Sequence, residues 1–216
     1  MEAILERLFE SPRLFLFQRQ IQQVLDAEEA RRARFIATMT EAEKVEFING
    51  EVVVHSPVKL QHNEANHNLL VMLSTYVRAN GLGLVGFEKL LISLTRNDYE
   101  PDICFFRREK ADTFSPSQMR FPAPDFIAEV LSESTAHNDR GVKFDDYAAH
   151  GVAEYWIIDP EAEIVEQYLL DGDEYRLLLK VATGVLTSRA VPGFEIPVRA
   201  IFDADVNLAA LRQVLG

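Results

Sequence analysis

Two carboxylates embedded in apolar runs, and a lysine downstream of them, are the residues of this chain best placed to do chemistry: Asp102, Glu129 and Lys143. Asp102 follows Pro101 and opens the run Ile103-Cys104-Phe105-Phe106, while Glu129 sits inside Phe126-Ile127-Ala128-Glu129-Val130-Leu131. A carboxylate in so apolar a strand loses hydration, and a cation, a proton or hydrogen-bond donors must offset that loss. On neighbouring strands, about 4.8 Å apart, two such carboxylates can hold one divalent cation. Such a cation beside a lysine is the minimum equipment for cutting a phosphodiester. Pro124-Asp125 is a competing Pro-Asp pair, yet Asp125 and Glu129 share one strand and stand roughly 13 Å apart, at about 3.3 Å per residue. Asp125 therefore reads as a strand-entry residue.

Lys143 falls on a helix expected from His137 to His150 and closed by Gly151. At 100° per residue Arg140 and Tyr147 lie beside it, Phe144 and Ala148 on the buried side, and Asp139 and Asp146 on the wet side. Its stem can be buried while the ammonium reaches over the sheet edge. The plain alternative is an i,i+4 pair with Asp139, worth only tenths of a kcal/mol.

The elements that must position these groups are legible in the pattern. Leu5, Leu8, Phe9, Ile21, Val24 and Leu25 recur at helical spacing, so the first ~37 residues predict a helical arm broken near Pro12. Val45-Glu46-Phe47-Ile48 and Glu51-Val52-Val53-Val54 alternate around Asn49-Gly50, the signature of a two-residue β-hairpin. A helix from Leu60 to Asn80 follows, with Gly81 in the left-handed closing position. Strands are expected at Val85–Leu94, Asp102–Arg107, Asp125–Leu131, Glu154–Ile158, Ile164–Leu170 and Glu174–Val181, with a short helix from about Asp205. Ser132, Ser134 and Thr135 are expected to cap the helix after Glu129, and Tyr155 and Trp156 to fill the core.

Composition narrows the class. The chain has 216 residues, 48% hydrophobic and 26% charged, which suits one α/β domain with a substantial core. A single cysteine, Cys104, allows no internal disulfide. Apolar runs fall short of the roughly 20 residues of a membrane span, and Met1-Glu2-Ala3-Ile4 lacks a secretory signal's cationic start. A cytoplasmic protein is expected. The net charge of −12 repels polyanions at long range. A nucleic-acid substrate would need local basic groups, for which Arg107, Arg108 and Lys110, or Arg31, Arg32 and Arg34, are candidates. There is no His-Glu-x-x-His zinc motif, no Gly-x-Ser-x-Gly elbow and no phosphate-cradling glycine loop.

In order, helix, strand, Asp-bearing strand, Glu-bearing strand, helix and strand resemble the core of the PD-(D/E)XK superfamily of restriction-endonuclease-like proteins. The stretch from Pro124 through Asp125, Glu129 and Val130 to Thr135, then Asp139-Arg140-Gly141-Val142-Lys143, and Gly151 through Tyr155-Trp156 to Asp159-Pro160, are more specific. They are similar to the bacterial "putative restriction endonuclease" family, as are the hairpin Glu46–Glu51 and His62. The resemblance covers roughly residues 44 to 195. It implies an α/β fold with a restriction-endonuclease-like mixed central β-sheet flanked by helices. With the arm and the hairpin, the chain divides into an N-terminal helical arm, 1–40, and a nuclease domain, 41–216.

The function implied is metal-dependent endonucleolytic hydrolysis of nucleic acid, DNA first. Asp102, Glu129 and the main-chain carbonyl of Val130 would hold Mg²⁺, for which Mn²⁺ can substitute. Lys143 stands in for the lysine expected two residues after Glu129, where this chain has Leu131. Glu64 is the candidate for an acid from the first core helix, and His62 reads as structural or substrate-facing. A homodimer follows from the superfamily's habit and from the arm. The alternative function is a binding module that keeps the nuclease fold without turnover.

Overall fold

Pro12 separates two helices, α1 (Glu2–Phe9) and α2 (Leu14–Thr38), in the computed structural model, which describes residues 2–40 and 43–215. Its fixed φ and missing N–H suit a break between helices. The hairpin of β1 (Val45–Ile48) and β2 (Glu51–Val54) turns on Asn49 and Gly50, whose φ angles are 50° and 89°. These left-handed values are what the Asn-Gly pair supplies most readily. Next comes α3 (Leu60–Ala79), with Gly81 at φ 60° beyond its end.

The following strands depart from expectation. Instead of one strand at 85–94 there are two, β3 (Gly83–Phe87) and β4 (Leu91–Ser93), which join different sheets. Glu88, at φ 48°, turns the chain between them, and its N–H donates to Asp102 O at 3.0 Å. Then follow β5 (Asp98–Tyr99), β6 (Ile103–Arg107), α4 (Arg108–Ala111), β7 (Arg120–Phe121) and β8 (Phe126–Val130). The helix expected from His137 to His150 is also divided, into α5 (Ala136–Asp139) and α6 (Val142–Ala149). A Cβ at Gly141 would lie 2.7 Å from the carbonyl oxygen of His137, so the junction closes on a residue without one. The chain ends with β9 (Glu154–Asp159), β10 (Ile164–Asp171), β11 (Glu174–Val181), β12 (Val185–Thr187), β13 (Glu195–Pro197), a 3₁₀ turn (Val198–Ile201) and α7 (Ala204–Leu215).

A six-stranded sheet, ordered β11-β10-β9-β8-β6-β3, is antiparallel except where β8 lies parallel to β9. A five-stranded sheet runs β2-β1-β5-β4-β7, and β12 pairs with β13. Alternation along β6 and β8 gives the larger sheet two different faces. Ile103, Phe105, Phe126, Ala128 and Val130 pack with Leu69, Met72 and Leu73 of α3. Cys104, Phe106 and Ile127 face the other way, into a core with Tyr147 of α6 and Tyr99 of β5. Asp102 and Glu129 share the parity of that second face. The mixed α/β architecture is thus the expected one, and it directs both carboxylates toward α6 and the hairpin.

Candidate active site

The antiparallel register of β6 and β8 pairs Ile103 with Ala128, so one step further along Asp102 comes opposite Glu129. The Asp102 N–H donates to Glu129 Oε2 at 3.2 Å, and the Val130 N–H donates to Asp102 Oδ2 at 2.9 Å. Lys143 arrives from α6, one turn before Tyr147. Its Nζ lies 3.1 Å from Glu129 Oε1, 3.0 Å from Glu46 Oε1 and 3.2 Å from Asp139 Oδ1. The Tyr147 hydroxyl donates to Glu129 Oε1 at 3.1 Å. The three sequence-derived side chains therefore stand together, with Lys143 on Glu129 rather than on Asp102.

The cluster also holds His62, expected as structural or substrate-facing, and Lys44, Glu46 and His55, which were not among the candidates. Lys44, just before β1, and Glu46 within it are two positions apart, and both reach the cluster. Lys44 Nζ donates to Asp102 Oδ1 at 2.8 Å, and Glu46 is fully buried between Lys143 and the Glu100 N–H, which donates to it at 2.9 Å. His62 Nε2 lies 3.4 Å from Asp102 Oδ2, and His55 Nε2 lies 3.0 Å from Glu46 Oε2. The sequence signal for Glu46 was a lone acid in an apolar hairpin strand; Lys44 had none.

Two placements on the expected long helix are corrected. Asp139 is buried rather than wet, because the break at Gly141 turns α5 away from the single-helix wheel. Asp146 accepts from Asn97 Nδ2 at 2.7 Å and from the Tyr99 hydroxyl at 2.8 Å, since β5 covers that side. Glu64 is exposed on α3 and does not join the cluster. Asp125 takes the Arg107 N–H at 2.8 Å and pairs with Lys110, as befits strand entry. A cavity of about 340 Å³ opens over the cluster, lined by Lys44, His62, Asn66, Asp102, Glu129 and Ser134 among others.

The model of the family Uma2, "Putative restriction endonuclease", matches residues 11–199. The chain belongs to the Uma2 family. A relative in Synechocystis sp., named as an uncharacterized protein, is 33% identical over 141 residues, spanning 64% of this chain and 79% of that one. A solved structure from Anabaena variabilis, described as a "putative nuclease belonging to DUF820", superposes with a TM-score of 0.67 at 17% identity. The superposition covers 78% of this chain and 94% of that one, and it establishes a shared fold.

Within this Uma2 chain the charges sort by their partners. Burial alone would raise Asp102, but Lys44 and His62 outweigh it and hold the carboxyl well below the usual range. Burial likewise opposes Lys143 and His55 at Glu46, which they bring down to about 2. At Glu129 burial wins over Lys143, aided by the charges of Asp139, Asp102 and Glu46, and pushes the group up to about 8. Burial acts against the charge of Lys143 too, yet its three carboxylates raise it well above the ordinary lysine value.

The donor set suits a hard divalent cation. Asp102 and Glu129 offer carboxylate oxygens side by side, and the buried thiol of Cys104 on the same face does not line the cavity over them. Val130 turns its N–H toward Asp102, and in a strand a residue's carbonyl faces the same neighbour as its N–H. Among the described residues, Glu46, Asp102, Glu129 and Asp139 face two ammonium groups, Lys44 and Lys143, before His55 and His62 are counted. Among the described residues no group of three or more His, Cys, Asp or Glu forms a ready metal cage. Mg²⁺ characteristically uses one or two carboxylates and keeps several waters, so that donor count fits it.

Proposed function

We propose that this Uma2 chain is a divalent-metal-dependent endonuclease that hydrolyses phosphodiester bonds of nucleic acid, DNA foremost. The observation that carries the reading is the meeting of Asp102 and Glu129 at the end of β6 and β8, under an open cavity. Membership of a family described as "Putative restriction endonuclease" supports the nuclease class. Asp102, Glu129 and the Val130 carbonyl would hold Mg²⁺, or Mn²⁺ in its place. When bound, such an ion lowers the pKa of its water and neutralises charge developing on the phosphate.

The chain's own groups do the positioning. Val130 N–H fixes the Asp102 carboxylate, and Asp102 N–H together with the Tyr147 hydroxyl fixes Glu129. Lys143 favours the ionised form of Glu129 and so offsets part of the rise that burial imposes on it. It also aligns Glu129 with the hairpin by bridging it to Glu46.

A plasmid and an RNA of similar length, incubated with the protein in Mg²⁺ or Mn²⁺, test the reading. Wild type is expected to cleave the plasmid, and Asp102→Asn to lose at least about two orders of magnitude, or several kcal/mol of transition-state stabilisation. Cleavage by Asp102→Asn at the wild-type rate sinks the proposal. A second reading, a non-cleaving binding module, draws on the ammonium of Lys44 already seated on Asp102. Tight Mn²⁺ binding that Glu129→Ala abolishes separates the two, because a non-cleaving module has no need of it.

A further inference from the structure

We infer that Lys44, rather than Lys143, is the cation that meets the scissile phosphate, and that in the metal-free protein its ammonium keeps the place on Asp102 which a divalent cation takes over. The inference rests on the proposed nuclease reading and deepens it. The two lysines differ in what they can reach. The Lys143 side chain is 2% exposed and lies within 3.2 Å of three carboxylates, on Glu46, Glu129 and Asp139. To touch a substrate it would have to leave three buried acids without their shared cation, a heavy penalty in a desolvated site.

The Lys44 side chain is 22% exposed, on the cavity wall, and its ion pair is with Asp102 Oδ1. Its backbone is firmly placed. The Lys44 carbonyl accepts from His55 N–H at 3.0 Å, and the adjacent Val45 N–H donates to Glu100 Oε2 at 3.0 Å. From that anchor the four-carbon stem can swing the ammonium over several ångströms without moving the strand.

Charge supplies the direction of the exchange. A phosphodiester brings a negative charge to a pocket that already holds four carboxylates. A divalent cation on Asp102 displaces the ammonium from that oxygen by like-charge repulsion. The freed ammonium then faces the open side of the cavity, where an anionic substrate enters. Lys143 stays below, as the counter-ion that positions Glu129.

Two measurements on the full-length chain test this. The first labels wild-type lysines briefly with an amine-reactive reagent, with and without Mn²⁺, and reads each site by mass spectrometry. Lys44 is expected to become several-fold more reactive in Mn²⁺ while Lys143 stays unreactive; an unchanged Lys44 overturns the inference. The second titrates Mn²⁺ calorimetrically into wild type and Lys44→Met. The variant is expected to bind Mn²⁺ about tenfold more tightly, because the competing cation is gone. In Ca²⁺, which serves as a probe for binding, the same variant is expected to bind a short DNA duplex about tenfold more weakly. Equal or weaker Mn²⁺ binding by Lys44→Met, or unchanged duplex binding, overturns the inference alone. Wild type that binds no Mn²⁺ removes the nuclease reading as well, so the two failures are told apart. The labelling experiment needs only wild type and decides the matter even where Lys44→Met does not fold.

Discussion

At the scale of single residues the decisive fact is that Lys143 is buried among acids. A surface i,i+4 pair with Asp139 would be worth only tenths of a kcal/mol. Removing a buried cation that serves three carboxylates is a different matter. Lys143→Met keeps most of the side chain's volume but leaves Glu46, Glu129 and Asp139 facing one another without it. We predict a loss of about 3–5 kcal/mol at pH 8, the scale found when one partner of a buried pair is deleted. The loss shrinks at pH 5, where buried carboxyls relieve the imbalance by taking up protons. Urea midpoints of the two proteins at both pH values measure this. A shift of only tenths of a kcal/mol at pH 8 returns Lys143 to the role of an ordinary helix pair.

At the scale of elements, the junction between α5 and α6 is tied to the sheet by Glu166 of β10. Its carboxylate takes Arg140 at 2.7 Å and Lys180 of β11 at 2.8 Å, and the Tyr168 hydroxyl donates to it at 2.6 Å. The Arg140 hydrogen bond is the largest of the influences that bring Glu166 down to about 2. An unfolded glutamate titrates near 4.3. The native state therefore holds this proton less tightly, and its contribution is present above about pH 4.3 and lost as pH falls through about 2. Arg140 and Lys180 are substantially exposed, so solvent screening reduces the contribution to about 1–2 kcal/mol. Glu166→Gln is expected to lower the urea midpoint at pH 6 and to flatten its fall between pH 4.5 and 2.5. An unchanged acid slope in Glu166→Gln would assign that sensitivity to other carboxylates.

Most of these elements were legible because local chemistry and tertiary packing agree in them. Asn49-Gly50 sets the hairpin, and the apolar runs around Asp102 and Glu129 are strands of one sheet, their register bringing the two acids together. The short pairings were not legible. β5 and β7 have two residues each, too few for any period, and exist because neighbouring strands supply their partners. Lys44 and Glu46 were missed as site residues because nothing local records that β1, a member of the smaller sheet, presents one face to the larger sheet's carboxylates. The basic clusters were legible as charge but not as structure. Arg32 holds Asp98 at 2.5 Å, and Lys110 holds Asp125 at 3.0 Å, so each of the two already serves an acid of the fold.

At the scale of the whole molecule, the two halves of α2 have different fates. Ile21, Val24 and Leu25 are exposed, whereas Glu28 and Phe35 are buried. Glu28 takes Arg96 at 2.7 Å through both carboxylate oxygens, and Phe35 stacks on Phe47 of β1 at 5.7 Å. Arg32 spans the gap with hydrogen bonds to the carbonyls of Thr95 and Leu94 and an ion pair with the fully buried Asp98. A cut at residue 40, where the sequence pattern changes from helix to hairpin, severs all of these ties. A cut at residue 26 severs none of them. Deleting residues 1–26 is therefore expected to leave the thermal midpoint within about 2 °C of wild type, as for a change of a few tenths of a kcal/mol. Deleting residues 1–40 unpairs Asp98 and uncovers Phe47 together. The unpaired buried charge alone costs about 3–5 kcal/mol, a large share of a typical domain's stability of about 5–15 kcal/mol. Arg32→Met in the full chain isolates that electrostatic part and is expected to give most of it. Calorimetric scans of the four proteins measure the effect. Equal stability of the two truncated forms would mean that α2 adds nothing to the hairpin beneath it, and the hairpin carries Lys44 and Glu46 into the site.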